Sequence, residues 1–375
     1  MRDAFGEARQ RLACEIDRHP KQALEPIAAD PWIVSSLLQK SIRRGETGIA
    51  QRAALTFFTR KGSAIWRRFL VIAFEDIGAG SVDALAMTVA AATDPAWRKL
   101  SGGDARIAVA LARILAEAAK DRSADYLGGA KDHPSFAAIG QTIATASLET
   151  RLSCVREKHL ALPHRAIAAL SAAGIGSSRE KTANEGGLDA LLAVYRALGA
   201  PDELVTATAI AAVRSREPIT VLVPLIWLGA NDGRAPTVGD RPVPPSPIIG
   251  DVPLYALDMH TRLGREAIWR FARENDALRA CLELYVSPDR WRTAAYNAAF
   301  YVDASPVARQ LIWEQSERLE EFGMEGDLQR AGVPLKGIAP LLQAMRTNLG
   351  HLNGLRAEAL VRSQPAQAVI RASRR

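Results

Sequence analysis

The chain has 375 residues, of which 48% are apolar, 24% are charged and only 6% are aromatic, and its formal net charge is +7. This length and balance allow a large buried core and exclude wholesale disorder. Alanine dominates long stretches, and the alternating pattern of β-strands is scarce, which favours helices. We therefore expect an all-α protein, a multi-helix array in two lobes.

Helix-start signals divide the first half of the chain into short helices. Asp30 followed by Pro31 predicts an N-cap with proline at the first helical position, and this helix should run to about residue 45. A second helix follows to about residue 60, and a third, capped by Ser63, should end near Gly78 or Gly80. Further helices are expected to begin at Ser81, Asp94 and Asp104.

The second half is interrupted by a segment rich in proline. Residues 231–253 hold six prolines and cannot form a regular helix. The apolar stretch just before this segment, Ile219 to Ala230, is predicted to be a buried helix. We accordingly divide the chain into an N-terminal helical extension (1–30), a helical domain (31–230), a Pro/Gly-rich linker or loop (231–253) and a C-terminal helical lobe with a basic tail (254–375).

Cysteine usage and hydropathy favour a cytoplasmic protein with no membrane contact. Cys14, Cys154 and Cys281 lie far apart and form no CxxC pair, so neither a disulfide framework nor a zinc knuckle is indicated. Met1 to Gln10 lacks the apolar core of a signal peptide. No apolar run approaches the roughly 20 residues of a membrane span.

Positive charge is concentrated in one segment. Residues 32–70 contain eight basic residues against Glu46 alone, so this segment carries a net charge of +7, equal to that of the whole chain. Localised positive charge is the electrostatic footprint of a polyanion partner, although a solvated helical face gives the same pattern. The eight residues are Lys40, Arg43, Arg44, Arg52, Arg60, Lys61, Arg67 and Arg68. A second basic group comprises Arg346, Arg356, Arg362, Arg371, Arg374 and Arg375.

Three short motifs stand in this region: KSIRRG at 40–45, WRR at 66–68 and AFEDIG at 73–78. In this order and spacing they resemble the helical region that follows the ATPase core in the family of replication-associated recombination protein A and the Werner helicase-interacting proteins. The resemblance covers roughly 60 residues, within 33–91. It implies a helical domain related to the collar regions of clamp loaders, used for oligomerisation and a candidate for DNA contact.

The sequence departs from that family in one important respect. Family members carry an ATPase domain ahead of this region, whereas about 30 residues precede it here, and no GxxxxGK[ST] phosphate loop is present. ATP hydrolysis is therefore not expected, nor is a cofactor, and the absence of HExxH, GxSxG and EF-hand patterns predicts no metal site and no catalytic residue. The resemblance implies a non-catalytic accessory protein of DNA replication, recombination or repair. Its expected partners are DNA, a separate ATPase or replication protein, and further copies of itself.

Charged residues of the motifs have two expected roles. Glu75 and Asp76 stand at the end of a helix, where the helix dipole disfavours carboxylates, so we expect a structural ion-pair network with a cation from a neighbouring helix, Lys40 or Arg43. For the basic residues we expect phosphate contact. The candidate DNA-binding residues are Lys40, Arg43, Arg44, Arg60, Lys61, Arg67 and Arg68.

A second polar cluster follows the Pro-rich segment and leaves other functions open. It contains Asp251, Asp258, His260, Arg262 and Arg265. An acid/base pair of Asp258 and His260 would make the chain an enzyme with its site at the lobe boundary, under the Pro-rich loop. A helical ladder of Asp258, Arg262 and Glu266 explains the same residues without catalysis. A third possibility is a protein-binding scaffold whose basic helices dock an acidic partner without nucleic-acid contact.

Overall fold

The computed structural model describes residues 5–19, 23–175 and 187–372, with side chains described as far as residue 363. Twenty α-helices make up most of this part of the chain, and the few strands are short antiparallel pairs, so the all-α prediction is confirmed. The helices are α1 (Gly6–Arg18), α2 (Pro31–Arg43), α3 (Thr47–Lys61), α4 (Ala64–Ile72), α5 (Val82–Thr93), α6 (Pro95–Leu100), α7 (Asp104–Glu117), α8 (Ser123–Gly128), α9 (Ala137–Thr145), α10 (Leu148–Arg156), α11 (Leu162–Ala173), α12 (Gly187–Ala197), α13 (Asp202–Ser215), α14 (Val223–Ala230), α15 (Arg262–Glu274), α16 (Asp276–Tyr285), α17 (Trp291–Ala299), α18 (Ser316–Arg330), α19 (Leu335–Thr347) and α20 (Leu349–Ala372).

Most of the capping signals have their expected effect. The side chains of Asp30, Ser81 and Asp94 accept hydrogen bonds from backbone N–H groups in the first turns of α2, α5 and α6. Ser63 precedes α4 but makes no such bond, so its predicted capping role is wrong. The reason is its backbone, which is already helical (φ −61°, ψ −12°), whereas a capping residue is extended.

The Pro-rich segment 231–253 is an ordered excursion and contains three of the four strands. β1 (Thr237–Asp240) pairs antiparallel with β4 (Arg309–Ile312), with Thr237 opposite Ile312. β2 (Ile248–Ile249) and β3 (Val252–Pro253) form a short hairpin. The segment is therefore tied by backbone hydrogen bonds to residues 309–312 and is not a free linker.

The apolar core is divided in two, as the two-lobe interpretation requires. One cluster of buried side chains extends from Phe5 to Leu263 and includes a few later residues, and the second lies between Ala267 and Leu355. The change of core thus falls at the start of α15, later than the Pro-rich segment where the sequence analysis placed it. Tyr255, just after that segment, still packs into the first core.

The apolar stretch before the Pro-rich segment lies in the first core, as predicted. It forms a 3₁₀ turn (Pro218–Leu222) followed by α14, and Val223, Leu225 and Ile226 are buried. None of the described helices combines the length and the apolar character that crossing a bilayer requires.

Candidate functional site

Two helices continue into a π-helical turn, and each turn carries a buried aspartate. Ala73–Ile77 extends α4 and contains Asp76, and Phe300–Ala304 extends α17 and contains Asp303. π-Helical turns are rare in proteins, and those that occur often lie at functional sites. Both aspartates are almost fully buried, at 0% and 1% exposure, so each carboxylate needs a cationic partner.

Asp76 lies between two arginines. Nε of Arg43 donates a hydrogen bond to Oδ1 of Asp76 over 2.7 Å, and Nε of Arg122 lies 3.1 Å from the same oxygen. Burial raises the pKa of Asp76, but the positive charges of Arg43 and Arg122 outweigh it and hold that pKa below its usual range. Arg43 is one of the two partners expected for the carboxylates of the AFEDIG motif.

The neighbouring carboxylate titrates differently. Glu75 lies 3.3 Å from Nη2 of Arg43 and 3.7 Å from Nη2 of Arg122. Burial, together with the negative charges of Asp76 and Asp125, raises the pKa of Glu75 to about 7. The pair of carboxylates is thus split into one that stays ionised and one that takes up a proton near neutral pH.

The KSIRRG motif connects the two π-helical turns. Nη1 of Arg43 donates to the carbonyl of Ala304 over 2.7 Å, and Nη1 of Arg44 donates to the carbonyl of Asp303 over 3.3 Å. Lys40 forms a separate buried ion pair, with Nζ 2.6 Å from Oδ2 of Asp258. Three successive basic residues at the end of α2 and just after it are therefore bonded to segments more than 200 residues away in the sequence.

These contacts correct part of the predicted DNA-binding set. Lys40, Arg43 and Arg44 are 4%, 2% and 5% exposed, so phosphate contact by these three is wrong for the folded protein. The carboxylates that neutralise Lys40 and Arg43 lie outside the segment over which the charge was counted, whereas Arg44 pairs with Glu46 inside it. The role of the three basic residues is to fix the second π-helical turn and the Asp258 loop against α2.

The remaining predicted DNA-binding residues are only partly available. Arg60 donates to the backbone carbonyls of Ala29 and Ile27, and Arg68 donates to Gln39. Lys61 is exposed. Arg67 is also exposed, although it donates to the carbonyl of Ser215 over 2.9 Å and lies 3.6 Å from Glu217.

The second predicted basic group is also dispersed. Arg356 is fully buried, with Nη1 2.5 Å from Oδ2 of Asp303. Arg362 pairs with Glu266 across 3.4 Å. The side chain of Arg371 and the whole of Arg374 and Arg375 lie outside the described residues, as does most of the predicted basic tail.

The polar cluster after the Pro-rich segment does not converge on one point. Asp251 pairs with Arg52 over 2.9 Å, and the carboxylate of Asp258 is held by Lys40. The predicted ladder through Asp258 is wrong, because α15 begins only at Arg262. Thr261 is the N-cap of α15 and accepts a hydrogen bond from the N–H of Gly264, which leaves Asp258 in the preceding loop.

His260 occupies a different position from the acid/base partner that the enzyme hypothesis requires. Its backbone N–H donates to Oδ1 of Asp258 over 3.1 Å, while its ring lies edge-on to that of Phe300, with the two ring centroids 6.1 Å apart. Burial and the positive charges of Lys40 and Arg43 lower the pKa of His260, and Asp258 opposes them. The imidazole is therefore neutral at neutral pH.

A different set of arginines forms an exposed positive surface on the C-terminal lobe. Arg262, Arg265 and Arg273 are spaced along one face of α15, and Arg292 stands on the adjacent α17. All four are exposed, and none forms an ion pair with a carboxylate in the part of the chain that the structure describes. We call these four residues, with the aromatic side chains between them, the arginine stripe.

The aromatic side chains of the arginine stripe are Trp269 and Tyr296. The guanidinium carbon of Arg292 lies 4.8 Å from the Trp269 ring centroid, and that of Arg273 lies 5.3 Å from it, distances at which cation–π attraction operates. Burial raises the pKa of Tyr296, and the positive charges of Arg292 and Arg265 oppose that rise. Both arginines therefore lie near the Tyr296 hydroxyl.

The two glutamates of α15 are paired with arginines outside the stripe. Glu266 pairs with Arg362 on α20, and Glu274 pairs with Arg270 over 2.8 Å. Residues three or four apart share a helix face, and this spacing collects Arg262, Arg265, Glu266 and Trp269 on one side. Because Glu266 is paired with Arg362 of α20, it forms no ion pair with the arginines of the stripe.

Two members of this surface were predicted from the sequence, but as part of another site. Arg262 and Arg265 were assigned to the polar cluster, whereas Trp269, Arg273 and Arg292 were missed. The available signal was the spacing of basic and aromatic residues at 262, 265, 269 and 273, which fits a helix face. The net charge of this segment does not reveal the pattern, because Glu266 and Glu274 offset part of its positive charge.

Comparisons with known proteins add no assignment. No protein-family model, no curated protein and no solved structure matches this chain. Among the described residues, no group of His, Cys, Asp and Glu side chains is arranged to hold a metal ion. The family resemblance remains a prediction from the three sequence motifs.

Proposed function

We propose that this protein is a non-catalytic accessory protein of DNA replication, recombination or repair that binds nucleic acid through the arginine stripe. The single observation that carries the proposal is the set of four exposed arginines, without carboxylate partners among the described residues, placed around Trp269 and Tyr296. Arginine bonds phosphate oxygens in a fork geometry and stacks on aromatic and base planes. Arginines interleaved with aromatic residues are typical of surfaces that bind nucleic acid strands.

The dimensions of the stripe suit a strand of nucleic acid. Arg262 and Arg273 are separated by eleven helical steps of about 1.5 Å each, so the stripe extends over roughly 16 Å along α15. Arg292 widens it on α17. A surface of this length can contact several successive phosphates of one strand, and such contacts supply most of the affinity of non-specific binding.

The family resemblance supports the DNA-related part of the proposal and its assembly part. Arg43 of the KSIRRG motif forms an ion pair with Asp76 of the AFEDIG motif and so holds α2 against the first π-helical turn. Motifs that fix the packing of helices in this way suit an assembly domain. In this proposal the domain assembles with a separate ATPase, a replication protein or further copies of itself. The strand is then held by the C-terminal lobe.

Binding of single-stranded and duplex oligonucleotides of about 20 residues to a four-fold variant tests the proposal. The variant is Arg262→Gln, Arg265→Gln, Arg273→Gln and Arg292→Gln. The four side chains are exposed, so the substitutions leave the core unchanged. We expect the affinity to fall at least about ten-fold, since each lost arginine removes a phosphate contact.

The matched control changes the same number of exposed arginines elsewhere: Arg156, Arg196, Arg234 and Arg318. This control lowers the net charge equally but leaves the arginine stripe intact, so its affinity should stay within about two-fold of the parent protein. Equal losses of affinity in both variants would show that overall charge explains the effect, and would refute the assignment of binding to the stripe.

A protein partner is the competing explanation. If the parent protein binds no oligonucleotide at low salt, the proposed DNA function fails. The stripe would then be examined for binding to an acidic protein, by comparing the parent and the four-fold variant in nuclease-treated pull-downs.

A further inference from the structure

A small cavity lies at the end of α15 where the arginine stripe begins. It has a volume of about 330 Å³ and lies between the first turn of α2 and the loop before α15. Its walls include Trp32, His260, Arg262 and Arg265, two of which are members of the arginine stripe. The volume is near the lower limit of small-molecule sites, so it suits one planar group and not a base pair.

The indole of Trp32 is unusually exposed for its size. It is 72% exposed, whereas large aromatic side chains are mostly buried in globular proteins. The backbone of its turn is fixed, because Asp30 accepts hydrogen bonds from the N–H groups of Trp32 and Ile33 over 2.7 Å and 3.1 Å. The ring is thus presented to solvent on a rigid first turn.

The rest of the cavity combines an apolar base with polar walls. Ile33 and Leu263 are 2% and 7% exposed and line it. The lining also contains Asp30, which keeps its negative charge and accepts both backbone hydrogen bonds on Oδ1, so the two positive charges of Arg262 and Arg265 leave the cavity with a net positive charge. His260 supplies a neutral imidazole, which can donate and accept hydrogen bonds at the edge of a heterocycle.

We propose that this cavity takes an unpaired nucleobase, stacked on Trp32, from a single strand whose phosphates contact Arg262 and Arg265. The inference rests on the proposed function, because the strand is held by the arginine stripe. A duplex keeps its bases stacked and paired, so only a single strand can place a base in the cavity without unstacking. The protein should therefore prefer single strands to duplexes.

Substitution of Trp32 tests the inference. The probe is a single-stranded oligothymidylate of about 12 residues, compared with a duplex of equal length, in one buffer. Trp32→Ala should lower the affinity for the single strand about 5- to 150-fold, the range found for loss of one stacked base, and leave the duplex affinity unchanged. Trp32→Phe should restore most of the single-strand affinity, because phenylalanine retains a stacking face.

The matched control is Leu100→Ala, which removes an apolar side chain that is 88% exposed and lies outside the cavity. It should leave both affinities unchanged. Tryptophan fluorescence gives a second readout: quenching by the single strand should be smaller in Trp32→Phe than in the parent protein.

The outcomes separate this inference from the proposed function. If the parent binds both probes through the arginine stripe and Trp32→Ala changes neither affinity, or both equally, the cavity assignment is wrong while the nucleic-acid function stands. If the parent binds neither probe, the proposed function itself is overturned. A loss confined to the single strand, restored by phenylalanine, supports both.

Discussion

Arg43 and Asp76 form an ion pair of 2.7 Å in which neither side chain is more than 2% exposed. Arg43 also donates to the carbonyl of Ala304 in the second π-helical turn. One arginine of the KSIRRG motif is therefore bonded to the AFEDIG motif and to a segment 261 residues further along the chain. The ion pair therefore has a structural role, because Arg43 contacts both π-helical turns.

Removal of Asp76 should strongly destabilise the fold. Asp76→Ala removes the carboxylate that contacts both Arg43 and Arg122 and leaves these buried arginines with Glu75 and Asp125 as their carboxylate partners. Breaking a buried pair in this way costs about 3–5 kcal/mol. Urea denaturation measures the free energy of unfolding. The control is Asp289→Ala at a carboxylate that is 75% exposed, for which a loss of at most about 0.5 kcal/mol is expected. Equal stability of the two variants would contradict the structural role of Asp76.

Glu75 should make stability fall as pH rises towards neutrality. Its pKa is raised from 4.5 to about 7, so between these values the folded protein retains a proton that the unfolded chain releases. The stabilisation that this retained proton provides is fully present below pH 4.5 and is lost as pH rises to about 7. Glu75→Gln removes this titration.

The measurement is the free energy of unfolding of Glu75→Gln relative to the parent at about pH 5 and about pH 8. As pH rises, the free energy of unfolding of the variant should increase relative to that of the parent by an amount on the order of 2 kcal/mol. A difference that stays constant over this range would show that Glu75 does not retain the proton.

Lys40 and Asp258 should behave as a mutually dependent pair. Lys40→Met leaves the Asp258 carboxylate buried without its cation and should cost about 3–5 kcal/mol. The double variant Lys40→Met, Asp258→Leu removes both charges and should cost less than the sum of the two single losses. Strict additivity in denaturation experiments would mean that the 2.6 Å contact contributes no coupling.

The exposed residues of the predicted DNA-binding segment should contribute little. Lys61→Ala with Arg67→Ala removes two exposed charges of the segment 32–70, far in sequence from α15 and α17. We expect less than a three-fold loss of affinity for single-stranded DNA, a general charge effect. A loss matching that of the four-fold variant would return the binding site to the segment named by the sequence analysis.

The sequence was informative where the interactions are local. Asp30, Ser81 and Asp94 cap helices because their partners lie two or three residues away. The glycine that ends the AFEDIG motif has one local requirement and one that depends on a distant residue. Gly78 has φ +49°, in the left-handed region, and a Cβ there would collide with the Asp121 carbonyl.

The sequence was misleading where charges are neutralised by distant residues. Asp258 lies 218 positions from Lys40, and Asp76 lies 33 positions from Arg43, so part of the charge counted along the segment 32–70 is neutralised inside the fold and does not reach the surface. The arginine stripe escaped notice for the complementary reason. Glu266 and Glu274 lower the net charge of its segment, although Glu266 is paired with Arg362 of α20 and Glu274 with Arg270.

The salt dependence of single-stranded DNA binding tests most directly whether the arginine stripe is the binding site. The affinities of the parent, the four-fold stripe variant and its charge-matched control are measured over a series of salt concentrations. We expect the slope of log affinity against log salt to become shallower in the stripe variant by about 0.7 for each lost phosphate contact, while the control keeps the parental slope. Equal slopes for the parent and the stripe variant would contradict the assignment of nucleic-acid binding to these four arginines.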